Sequence, residues 1–188
     1  MKLNIPNFLT LLRISIIPLF ILIFYLPFPG HHMVSAIIFA IAAVTDWLDG
    51  YLARKLHQIS PFGEFLDPVA DKLIVAVALV LLVQSYGTIL LTIPAAIIVS
   101  REIVISALRE WMAELGRRKE VAVRGIGKFK TAGQMIAILL LLSQDPKIDS
   151  WITIFGYVLI YAASFLTLWS MVIYLRAAWD ELNDSVAH

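Results

Sequence analysis

Apolar runs of about 20 residues recur along almost the whole chain, and each is long enough as a helix to cross a hydrocarbon core roughly 30 Å thick. Short stretches rich in Pro, Gly and polar residues separate them: "PFPGHH", "ISPFG", "QSYG" and "SQDPKIDS". The pattern predicts six helices at about 7–27, 33–55, 64–85, 89–112, 126–143 and 151–176. That leaves no room for a soluble domain, so residues 1–188 read as one all-α integral membrane domain, a six-transmembrane-helix bundle. The first run follows a single lysine but has no small-residue cleavage site before "LPFPGHH", and it reads as a retained helix rather than a signal peptide.

Composition agrees: 60% of the residues are hydrophobic and 15% charged, and the mean hydropathy is +0.85. With no cysteine, disulfides and thiolate metal sites are excluded, and any metal must be held by oxygen or imidazole. The net charge of +1 carries no nucleic-acid signature, and no nucleic-acid partner is expected. The placement of charge says more. If the amino terminus is cytoplasmic, the loops after helices one, three and five face outward and hold one basic residue, Lys147. The other Lys and Arg residues lie on or toward the inside. The expectation is a multi-pass membrane protein with both termini cytoplasmic. Trp111, Trp151 and Trp179 fall near predicted helix ends, as interfacial aromatics do.

Against this apolar background, "TDWLDGYLARKLHQISPFGEFLDPVAD" holds four aspartates. Asp46 and Asp49 come at the inner end of helix two, and Asp67 and Asp71 at the inner start of helix three. The i,i+3 and i,i+4 spacings put each pair on one helix face, about 4.5–6 Å apart along the axis. Crowded carboxylates repel, and an intramembrane charge costs about 2.5–3.5 kcal/mol at the bilayer centre and less near its edge. Asp67 and Asp71 gain from a helix amino terminus, whereas Asp46 and Asp49 sit near a carboxyl terminus that disfavours them. Lys72 and Arg54 are available as ion-pair partners, but two cations do not balance four acids. An all-oxygen donor set at this spacing suits Mg²⁺ or Mn²⁺, and two such ions form a familiar arrangement for phosphoryl chemistry. Gly50 and Gly63 would let a ligand approach the backbone, and Arg54 could neutralise a diphosphate.

The residues Asp46, Asp49, Gly50, Ala53, Arg54, Gly63, Asp67 and Asp71 match D-x2-D-G-x2-A-R-x8-G-x3-D-x3-D at every position. This resembles the signature of the CDP-alcohol phosphotransferases. "NIPNFLTLLRI", "SREIVISALREWMAELG" and "GKFKTAGQM" further resemble the bacterial members that form phosphatidylglycerophosphate. The resemblance implies transfer of the phosphatidyl group from CDP-diacylglycerol to sn-glycerol 3-phosphate, releasing CMP, in the bacterial cytoplasmic (inner) membrane, with an active site on the cytoplasmic side and generally a homodimer in membrane lipid. It assigns Asp46, Asp49, Asp67 and Asp71 to metal, with Asp71 also the general base. Asn7, Thr10, Gly50, Ala53, Arg54, Ser60 and Gly63 would line or contact the CDP moiety. No cofactor beyond the ions, two Mg²⁺ or Mn²⁺, is implied.

A second basic set is available for the acceptor's phosphate: Arg101, in the apolar stretch "VSREIVIS", with Arg109, Lys128 and Lys130 toward the same end. Arg101 could equally pair with Glu102. The run Arg117, Arg118, Lys119, Arg124 reads as a solvated loop near anionic headgroups. His31 and His32, in an outward loop, lie far from the acids, while Gly127 and Gly133 would allow close packing of helix five. Other acceptors (a second phospholipid, serine or inositol phosphate) would use the same chemistry. A divalent-cation carrier is the alternative of a different class, though helices two and three are apolar beyond the acids.

Overall fold

The structure, a computed structural model, describes residues 5–55, 61–114, 126–148 and 150–186; for some helical residues within these ranges it describes the backbone alone. Six helices are present among them: α1 (Ile5–Tyr25), α2 (His31–Lys55), α3 (Pro61–Tyr86), α4 (Ile89–Glu114), α5 (Ile126–Leu142) and α6 (Trp151–Val186). The largest departure from the sequence expectation is α6, which runs on through "AAWDELNDSV". The apolar pattern fades there, but Ala177, Ala178, Glu181 and Leu182 are good helix formers and continue the backbone ladder without it.

The breaks have local causes. Gly30 (φ +86°) and Gly87 (φ +59°) adopt the left-handed conformation open to glycine, and they turn the chain into α2 and α4. Ser150 caps α6: its Oγ accepts from the Thr153 amide at 3.2 Å. In the preceding turn the Asp145 carboxylate accepts from the Lys147 amide at 3.0 Å.

Among the described residues three helices are long and apolar enough to cross a membrane: α1 from Asn7 to Tyr25, α4 from Ile89 to Met112 and α6 from Trp151 to Arg176. Shorter apolar helical stretches cover His31–Asp46 and Thr131–Leu142. The distribution of polarity is that of a membrane protein. Large apolar side chains face outward, among them Leu22, Val80, Ile103 and Phe165, while Asn7, Thr10, Arg13, Gln134, Thr167 and Ser170 are buried.

Helix α1 packs on α2 and α3, α6 packs on α4 and α5, and α3 also meets α2, α4 and α5. The main core contains Phe20, Phe24, Phe39, Ile74, Leu79, Leu82, Leu91, Ile98, Ile138 and Leu141; a smaller cluster joins Ile105 and Met112 of α4 to Tyr174 of α6. Helices five and six approach closely at Gly156, where a Cβ would lie 2.9 Å from Leu141 Cγ. The small residue at this contact is therefore on α6. A Cβ at Gly133 of α5, expected to allow close packing of that helix, would meet nothing within 4 Å.

Candidate active site

The buried face of α1 changes character along its length. Asn7, Thr10 and Arg13 are followed by Ile17, Phe20 and Phe24, a single stripe at three- and four-residue spacing that is polar in its first half and apolar in its second. The apolar half enters the core, which fixes the rotation of α1 and obliges the polar half to face α2 and α3. There it meets the acids.

Arg13, only 1% exposed, donates from Nη1 to Asp46 Oδ1 at 2.9 Å and to Asp71 Oδ1 at 2.5 Å. Thr10, fully buried, donates its hydroxyl to Asp67 Oδ1 at 2.6 Å. Two residues within a single turn of α1 thus touch three acids on two other helices. Asp46 continues the buried face of α2 marked by Ser35, Phe39 and Ala42. Asp67 and Asp71 occupy the early turns of α3, where Pro68 has no amide to donate and so removes one intrahelical bond. The Asp46 and Asp71 side chains are 36% and 42% exposed, so the acids sit between a buried arginine and an accessible surface.

Asp46, Asp67 and Asp71 offer hard carboxylate oxygens, the donor chemistry that Mg²⁺ or Mn²⁺ requires. Among the described residues no three acids form a ready ligand group. Of the other residues predicted for the site, Asp49, Gly50, Ala53 and Arg54 lie in α2 with side chains outside the described residues, and Ser60 lies outside them altogether. Gly63 and Asn7 are buried.

Among the described residues the cation bonded to the acids is Arg13 and not Lys72, although Lys72 was an obvious partner by sequence. Lys72 follows Asp71 directly and so points about 100° further round the helix. It faces α4, where its Nζ donates to Ser106 Oγ. Arg13 went unremarked in the sequence reading because it stands alone in an apolar helix. The signal was the N-x-x-T-x-x-R spacing, which aligns three polar side chains with the apolar stripe that follows.

Arg101, in the buried stripe of α4, is 8% exposed. It donates from Nη1 to the adjacent Glu102 at 2.7 Å and from Nη2 to Ser170 Oγ of α6 at 3.5 Å, while Nε has no partner among the described residues. Arg101 thus uses Glu102 as its counter-ion and still carries an unused donor. Arg109 of α4 and Lys128 and Lys130 of α5 have side chains outside the described residues.

Residues 3–169 match the profile of the CDP-alcohol phosphatidyltransferases. The chain belongs to that family. Curated members of the CDP-alcohol phosphatidyltransferase family resemble it over nearly their full length. The Pseudomonas fluorescens CDP-diacylglycerol–glycerol-3-phosphate 3-phosphatidyltransferase is 58% identical over 96% of this chain and 92% of its own. The proteins of the same name from Salmonella typhimurium and Shigella flexneri are 55% and 53% identical, each over 98% of this chain and 100% of its own. All eight positions of the family signature are present here.

Proposed function

We propose that this chain is a phosphatidyltransferase that moves the phosphatidyl group of CDP-diacylglycerol to sn-glycerol 3-phosphate, forming phosphatidylglycerophosphate and CMP. The observation that carries the reading is the 58% identity, over 96% of the chain, to an enzyme named for that reaction. The acids that α2 and α3 gather against α1 are consistent with it.

Asp46, Asp49, Asp67 and Asp71 would hold one or two Mg²⁺ or Mn²⁺ ions, which when bound neutralise the charge of the diphosphate. Asp71 accepts the proton of the acceptor hydroxyl as that oxygen bonds to the phosphorus of the phosphatidyl group, and CMP departs with the electron pair of the broken P–O bond. Arg54 and Gly50, with Asn7, Thr10, Ala53, Ser60 and Gly63, bind and border the nucleotide. Arg101 takes the phosphate of the acceptor with its unused donor, supported by Arg109, Lys128 and Lys130. The bundle crosses the inner membrane six times with both termini and the acids on the cytoplasmic side, and it works as a homodimer.

The decisive test offers labelled CDP-diacylglycerol to the purified protein with glycerol 3-phosphate, phosphatidylglycerol, serine or inositol phosphate, across a Mg²⁺ and Mn²⁺ titration. Label should enter lipid with glycerol 3-phosphate and only when a divalent ion is present. Preferential use of another acceptor would overturn the assignment, and undiminished transfer in excess chelator would remove the metals.

A further inference from the structure

Arg13 lies outside the acidic signature, yet it is bonded to two of the three signature acids whose side chains are described, Asp46 and Asp71. It sits about 12 Å along α1, with its side chain enclosed. An arginine so enclosed is costly unless paired, and among the described residues it pairs with carboxylates on two other helices. Of the other described cations, Lys72 is bonded to Ser106 and Arg101 to Glu102 and Ser170.

We infer that Arg13 is the resident counter-charge of the acidic centre, a positioning residue that holds Asp46 against Asp71 before any divalent ion enters, and against whose charge that ion must bind. The inference rests on the proposed function for the claim that these acids take metal. Two consequences oppose each other. The guanidinium relieves the repulsion of Asp46 and Asp71 and so stabilises the metal-free protein. It also places a positive charge within hydrogen-bond distance of the same oxygens, which weakens their hold on a second cation. Arg13 thereby keeps the acids assembled while limiting how tightly they hold the ion.

The test compares wild type, Arg13→Gln and Arg13→Lys as full-length protein in detergent. Melting temperature is followed by tryptophan fluorescence in EDTA and over a Mn²⁺ titration, and bound Mn²⁺ is counted by electron paramagnetic resonance. Arg13→Gln should melt lower in EDTA, gain more from Mn²⁺ than wild type does, and reach half-saturation at about tenfold lower Mn²⁺. Arg13→Lys, which keeps the charge but loses the fork, should stay within about threefold of wild type in Mn²⁺ half-saturation.

A residue that merely packs would lower the melting temperature equally with and without Mn²⁺ and leave half-saturation unchanged, and that result in Arg13→Gln overturns the inference. Weaker Mn²⁺ binding by that variant also overturns it. Recovery of Arg13→Gln only when Mn²⁺ is present supports it. If that variant cannot be recovered at all, Arg13→Lys decides, and a tenfold change in its Mn²⁺ half-saturation refutes the claim.

Should wild type itself show no saturable Mn²⁺ response, the metal assignment fails separately. The counter-charge is then judged in EDTA alone, where Arg13→Gln melting at the wild-type temperature would sink it.

Discussion

Single residues in this protein are constrained by charge held in an apolar bundle. Asp71 illustrates the conflict, because the carboxylate proposed to receive a proton also accepts from Arg13 at 2.5 Å. Replacing it with Asn keeps the volume and an acceptor oxygen but removes the basicity. Asp71→Asn should therefore lower turnover by at least about 100-fold while the protein stays folded and still binds CDP-diacylglycerol. Initial rates of CMP release with a binding assay check this, and near-normal turnover would exclude Asp71 as the base. Arg101 poses the converse problem, since one face of its guanidinium is already committed to Glu102. Arg101→Ala should raise the apparent KM for glycerol 3-phosphate about tenfold or more and leave that for CDP-diacylglycerol nearly unchanged. A shift confined to the lipid substrate would assign Arg101 to the wrong pocket.

At the scale of helices, what positions the site is how each element divides its faces. The α1 stripe is apolar where it meets the core and polar where it meets acids, so rotation of α1 moves both together. Helices α5 and α6 are fixed by steric fit. The Cβ of Gly156→Ala would lie 2.9 Å and 3.0 Å from atoms of Leu141, a side chain with no exposure and little freedom to yield. That variant should lose about 1–3 kcal/mol. Adding Leu141→Ala should recover part of the cost of Gly156→Ala, so that the double variant is more stable than the two single losses predict. Thermal melts of the four proteins measure the coupling, and simple additivity would show that the two residues do not share the contact.

The whole molecule turns apolar side chains outward and keeps much of its polarity inside, as a lipid solvent requires. Trp151 and Trp179 are 86% and 66% exposed toward the ends of α6, where interfacial aromatics sit. The proposed topology gives a direct test, because the chain has no cysteine to remove. Lys147→Cys, between α5 and α6, should react with an impermeant maleimide in intact spheroplasts. Glu114→Cys, at the end of α4, should react only after permeabilisation. The reverse pattern would invert the bundle, and equal labelling of both would refute an odd number of crossings between them.

Sequence alone determined the elements and the family. Apolar runs of membrane-spanning length forecast six helices to within a few residues at most ends, because hydropathy and turn residues act locally. Eight signature positions identified the family, because the spacing of acids along a helix can be read without knowing its neighbours. Only the tertiary structure decided which charges meet. Lys72 adjoins Asp71 in the chain yet faces α4, whereas Arg13, 58 positions away, is bonded to it. Gly133 was the more obvious packing glycine, yet it is Gly156 that touches Leu141. Pairing in a bundle follows from the rotation of each helix about its axis, which is set by the joint burial of every face and which no short stretch of residues encodes.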